Sequence, residues 1–156
     1  KGNEGRTTAG NIQVMSAGTG ISHSEYNLED EETNIYQIWI KSKTTGIKPD
    51  WGMAEFPKKP VTKYLPLLVS GDNKAPLNIN QDARIYAGRI NKGDKITHNI
   101  IGKAYLLIAE GEAMVNHLHA KKGDGIAITD EVSITLKAKT EAELLIIEVP
   151  GISDAR

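Results

Sequence analysis

The chain has 156 residues, with nineteen Lys and Arg against twenty Asp and Glu, a net charge of -1 and 39% hydrophobic residues. That composition fits one domain or two small ones sharing a core and gives no electrostatic case for direct binding to nucleic acid or an anionic membrane. Cysteine is absent, which excludes disulfides, thiol catalysis and zinc-thiolate sites.

No apolar run approaches the roughly 20 residues of a membrane-spanning helix. No secretory leader is recognisable, so a cytoplasmic location is the default expectation. The first segment, KGNEGRTTAGNIQVMSAGTG, reads as a turn, a short strand over residues 12–15 and another turn. A lone strand at this point has no obvious partner, and it is expected to continue a sheet whose earlier strands precede Lys1. NLEDEETN reads as a solvated acidic loop. NIYQIWIK, residues 34–41, is rich in β-branched and aromatic side chains and is expected as a strand. Ile35, Gln37, Trp39 and Lys41 would share one face, with Tyr36, Ile38 and Ile40 on the other.

KPDWGMAEFPKKP follows as a Pro/Gly-rich, partly extended connection. Then come TKYLPLLVSG, LNINQDARIYAGRI, ITHNI and KAYLLIAEGEAMVN, apolar or alternating runs separated by Gly, Asn and Asp turns. NHLHAKKGDG is expected as a turn leading to IAITDE, with Gly123 and Gly125 around Asp124 at a sharp corner. SITLKA and AELLIIEV are expected to pair as a closing hairpin across KTE. Short strands at this spacing predict an all-β sandwich or barrel, and the rhythm of the second half resembles a cupin barrel.

The chemistry concentrates in SAGTGISHSEYN, residues 16–27. If the segment is extended, His23 and Glu25 project to the same side. An imidazole and a carboxylate suit a divalent first-row metal ion, and Gly18 and Gly20 would shape the corner before them. The alternative is a surface ion pair on a loop.

Gly20, His23 and Asn27 match the G-x-x-H-x-x-x-N of the second cupin motif, with Gly18 where a proline is usual. The string GNIQVMSAGTGISHSEYN, followed by IYQIWI and GIKPDW, resembles the pirin family of bicupins. GDGIAITDE and AELLIIEVP resemble the end of that family's second barrel. The resemblance covers essentially the whole chain and corresponds to the carboxy-terminal two-thirds of a full family member. It implies a cupin-type β-barrel or jelly roll in a bicupin arrangement. Residues 1–60 would be the remainder of an incomplete amino-terminal, metal-site barrel, and residues 61–156 the carboxy-terminal barrel.

In the family the first barrel holds one metal ion through three histidines and a glutamate. His23 and Glu25 match two of these ligands, and the earlier His-x-His pair has no counterpart here. The resemblance therefore implies half a site for one divalent transition metal. Iron is the first expectation, zinc, manganese, cobalt, nickel or copper the alternatives, and the ion could be absent from this chain alone. His117 and His119 have His-x-His spacing but are expected at a surface turn. His98 is expected as a packed or exposed polar residue.

The activity implied is quercetin 2,3-dioxygenase-like cleavage of a flavonol, with Glu25 as metal ligand, catalytic base for the 3-hydroxyl, or both. Ser24 faces away in the strand reading, and Trp39 is expected in core packing. A second implied reading is a regulatory protein without enzymatic activity that binds a transcription-related partner; a third is an inactive fragment. The open barrel is expected to be covered by an amino-terminal segment or by another copy of the chain.

Overall fold

The structure is a computed structural model that describes residues 4–8 and 10–150. Among these residues every regular element is a strand. The chain runs β1 (Asn11–Ser16), β2 (Asp50–Glu55), β3 (Leu67–Ser70), β4 (Leu77–Asn78), β5 (Arg84–Ile90) and β6 (Lys95–Asn99). It continues through β7 (Lys103–Glu110), β8 (Glu112–Val115), β9 (Leu118–Lys121), β10 (Gly125–Ile128), β11 (Ser133–Ala138) and β12 (Ala142–Val149). The expected all-β class is what the molecule has, and no helix among the described residues is long and apolar enough to cross a membrane.

A six-stranded sheet ordered β10-β7-β12-β5-β3-β4 faces a four-stranded sheet ordered β6-β11-β8-β9. Between them lies the larger core, where Ile90, Leu106, Ile108, Leu144 and Ile146 meet Ile96, Val115, Ile134 and Leu136. The remaining pair, β1-β2, lies against the other face of the six-stranded sheet. There Ile12, Val14 and Ala54 pack with Leu68, Val69, Ile85, Ala87, Leu145 and Ile147.

This arrangement explains the run AELLIIEV. Leu144 and Ile146 of β12 enter the larger core, whereas Leu145 and Ile147 enter the smaller one. A strand covered on both faces carries apolar residues at both parities. For the same reason β12 does not form the expected hairpin with β11. β11 alternates SITLKA, with Ile134, Leu136 and Ala138 buried and Ser, Thr and Lys between them. It therefore belongs to the sheet with one covered face, between β6 and β8, while β12 inserts between β5 and β7. The chain changes sheet at Lys139, whose N–H donates to the Glu112 carbonyl at 2.8 Å.

Four further expectations are corrected. Residues 34–41 form no strand: among the described residues nothing pairs with them. The partner of β1 is β2, drawn from the Pro/Gly-rich connection, with Val14 opposite Gly52 and Ser16 opposite Asp50. Trp39, expected in a core, is 87% exposed. The segment NHLHAKKGDG is only partly turn: Asn116 takes a left-handed φ of 53° at a two-residue connection, and β9 follows at once. Asparagine tolerates that conformation better than most residues. Its backbone and side chain also clamp Thr135, with both bonds at 2.8 Å.

Candidate metal centre

β1 delivers the chain to a corner at Ala17–Gly20. The Gly20 N–H donates to the Ala17 carbonyl at 2.8 Å, and the Thr19 N–H to the Ile47 carbonyl at 3.0 Å. Gly18 has φ 55°, and a Cβ there would collide with the Ile47 carbonyl oxygen, so both conformation and space call for glycine. Gly20 has φ 123°, with open space where a Cβ would stand. The glycines thus form the corner that the motif implied.

Past this corner His23 and Glu25 are exposed and belong to no strand. The strand geometry that would aim both into one cavity is not formed among the described residues. Neither side chain makes a side-chain hydrogen bond or ion pair there, so the surface ion pair is not seen either. The chain turns back through Asn27, whose Oδ1 accepts from the Glu29 N–H at 3.0 Å and whose Nδ2 donates to the Glu31 carbonyl at 2.7 Å. Arg6 pairs with Glu29.

No group of three or more His, Asp or Glu side chains that could hold a metal occurs among the described residues. An imidazole and a carboxylate with free donor atoms fit part of a ligand set for a divalent ion, whereas a complete protein site ordinarily offers three or four. Two such donors are fewer than a complete site needs.

The other histidines lie elsewhere. His117 is exposed at the β8–β9 turn. His119 is exposed on β9, with Nε2 2.9 Å from Glu112 Oε2. His98 is buried on β6, with Nε2 2.9 Å from Glu148 Oε1 and its ring edge-on to Tyr86. Sequence reading passed over Glu148. The available signal was its parity: it shares the inward face of β12 with Ala142, Leu144 and Ile146.

An all-β sandwich of this topology, carrying a G-x-x-H-x-x-x-N corner, defines a cupin protein. Residues 67–149 match the family described as the quercetinase C-terminal cupin domain, and residues 1–40 match the family described as pirin. A pirin-like protein of Caulobacter vibrioides is 43% identical over 94% of this chain and 65% of its own length. A quercetin 2,3-dioxygenase of Escherichia coli K12 is 33% identical over 97% of this chain and 66% of its own length. The crystal structure of the bacterial pirin YhhW of Escherichia coli in complex with nickel(II) superposes with a TM-score of 0.84. That match has 31% identity and covers 97% of this chain and 66% of the other. The chain belongs to the pirin family. It spans 65% of the length of the Caulobacter relative.

Proposed function

We propose that this chain contributes His23 and Glu25 to a mononuclear metal site of quercetin 2,3-dioxygenase type. The remaining ligands come from a further segment or from a second copy of the chain. The observation that carries this reading is the glycine corner itself. Gly18 is fixed against Ile47, and a few residues later the chain presents an imidazole and a carboxylate with no competing partner among the described residues. The nickel in YhhW and the activity named for the Escherichia coli relative support a divalent metal and a flavonol.

When bound, the metal would supply Lewis acidity that lowers the pKa of a coordinated hydroxyl. His23 would hold it through a ring nitrogen. The Glu25 carboxylate would hold it as well, or accept the proton of the flavonol 3-hydroxyl at an oxygen. Residues 1–60 then act as part of the metal-bearing barrel and residues 61–156 as its supporting one.

The experiment is elemental analysis of the purified chain beside analytical ultracentrifugation, followed by a quercetin turnover assay. Metal near one per assembled site, lost in His23→Ala, is the expected result. Full metal retention in His23→Ala would sink the reading. Glu25→Gln separates the two roles: retained metal with lost turnover marks a base, and lost metal marks a ligand.

The exposed Ile35, Tyr36 and Trp39 favour one further reading, a regulatory role through protein contact. It predicts a partner complex and no quercetin turnover.

A further inference from the structure

The outer face of the four-stranded sheet gathers lysines that lie far apart in the chain. Along β6, β8, β9 and β11, buried positions alternate with outward ones. Strand pairing aligns the outward residues in rows. Lys95 stands opposite Lys137, Lys137 opposite Met114, and Met114 opposite His119. In the next row Glu112 stands opposite Lys121. Three strand spacings bring these groups within about 14 Å of one another. The face looks away from β1 and β2, which pack on the opposite side of the sandwich.

Lys95, Lys121 and Lys137 are exposed and make no ion pair among the described residues. Glu112, the carboxylate at an outward strand position, is already engaged by His119, with Nε2 2.9 Å from Oε2. At the rim Lys122 is held by Glu110. The other outward residues, Thr97, Asn99, Ser133 and Thr135, are neutral. Like charges directly opposite each other destabilise a ladder, so the Lys95–Lys137 pair weakens the sheet it belongs to. An anion laid across the pair removes that repulsion.

We propose that this face docks an acidic polypeptide segment that carries an apolar residue among its carboxylates. The carboxylates meet Lys95, Lys137 and Lys121, and the apolar residue rests on Met114 between them. Charge complementarity selects an anion. The make-up of the face then selects among anions. It bears no aromatic side chain on which a nucleic-acid base could stack. Its free lysines belong to a chain of net charge -1, which gives a phosphate backbone little to hold. The half-buried thioether of Met114, in the middle of the row, suits a side chain rather than a phosphate. This surface is separate from His23, Glu25 and residues 34–41, so it rests on neither reading of the function.

The test is fluorescence anisotropy of the intact chain, in chelator, with a short fluorescein-labelled peptide of glutamates around a central leucine. Saturable binding of one peptide per chain is expected at low salt, weakened about tenfold or more at about 0.2 M salt. The matching glutamine peptide and a labelled oligothymidine should bind about tenfold more weakly or worse. Glycine in place of the central leucine should lose about three- to tenfold. Lys95→Glu/Lys137→Glu should lose about tenfold or more in affinity. Lys58→Glu/Lys59→Glu alters net charge equally at exposed positions outside both sheets, and should stay within about twofold. Lys137→Glu alone supplies an independent mark. It should raise the melting temperature of the free chain by about 1–3 °C while weakening the peptide. Absence of saturable binding, equally tight binding of the glutamine peptide, or an equal loss in Lys58→Glu/Lys59→Glu would overturn the proposal. Tighter binding of oligothymidine would overturn it in favour of nucleic acid. Salt-sensitive self-association abolished by Lys95→Glu/Lys137→Glu would overturn it in favour of the acidic run at residues 29–32 of a second copy. None of these outcomes depends on metal content or quercetin turnover.

Discussion

Asp72 shows how one side chain ties a turn to the barrel end. Its carboxylate lies 3.2 Å from Lys74 Nζ and 3.1 Å from Arg84 Nη2, and the Lys74 N–H donates to Oδ1 at 3.3 Å. Hydrogen bonding from Ser70, and then from Lys74 and Arg84, holds its pKa well below the usual carboxylate range. A carboxyl with a depressed folded-state pKa stabilises the fold fully above its unfolded value, near 3.9. That contribution fades as pH falls from there toward the folded-state value. The melting-temperature gap between the wild-type chain and Asp72→Asn should therefore be constant between neutral pH and about pH 5 and narrow below about pH 4. Melting curves across that range check it, and a gap that widens in acid would contradict it. The same contrast governs what could be read beforehand. His23 and Glu25 stood out as candidates because their residue types and spacing suit a metal ion. The partners of Glu148 did not, since Glu148 and His98 meet across two sheets and are fifty residues apart in the chain.

Turns between strands carry a different kind of constraint, and two glycines separate its components. Gly93 and Gly111 both have positive φ, 89° and 74°. A Cβ at Gly93 meets open space, whereas one at Gly111 collides with the Glu141 carbonyl oxygen where the β7–β8 turn crosses the start of β12. Gly93→Ala should cost only the left-handed backbone term, about 1–2 kcal/mol. Gly111→Ala should cost more, about 3 kcal/mol or above, because backbone must move as well. Urea unfolding of both variants measures the difference, and equal losses would refute the steric part. Strand existence was readable from alternation and turn residues across most of residues 67–149. Pairing was not. The apolar run of β12 is compatible with an edge hairpin or a central strand, and only the smaller core formed by Ile12, Val14 and Ala54 on its second face decides between them. The run in residues 34–41 has strand composition but no ladder, because β-propensity reflects fit to a neighbour rather than a backbone preference alone.

The molecule as a whole is unevenly secured. β5, β7 and β12 are adjacent central strands with paired neighbours on both sides; β5 and β12 reach both cores, and β7 the larger one. Residues 17–39 are exposed throughout, and their side chains include Tyr26, Leu28, Ile35, Tyr36 and Trp39. Beyond them the chain is pegged down again. Gln81 Nε2 donates to the Lys41 carbonyl at 2.8 Å, Asn80 Nδ2 to Thr44 Oγ1 at 2.7 Å, and Ile40 joins the smaller core. This long segment, held at both ends and rich in strand-forming and aromatic residues, leaves apolar surface uncovered among the described residues. Hydrogen exchange should therefore show two regimes. Amides of Leu106, Leu144 and Ile146 should open only with global unfolding, while those of residues 21–39 exchange at nearly unprotected rates. If a second copy completes the metal site, raising protein concentration should protect residues 34–41 and increase metal content together. Protection of that segment equal to the core's at low concentration, in a species that sediments as a monomer, would show that it needs no partner. Protection without metal would separate the docking role of this face from the chemistry of His23 and Glu25.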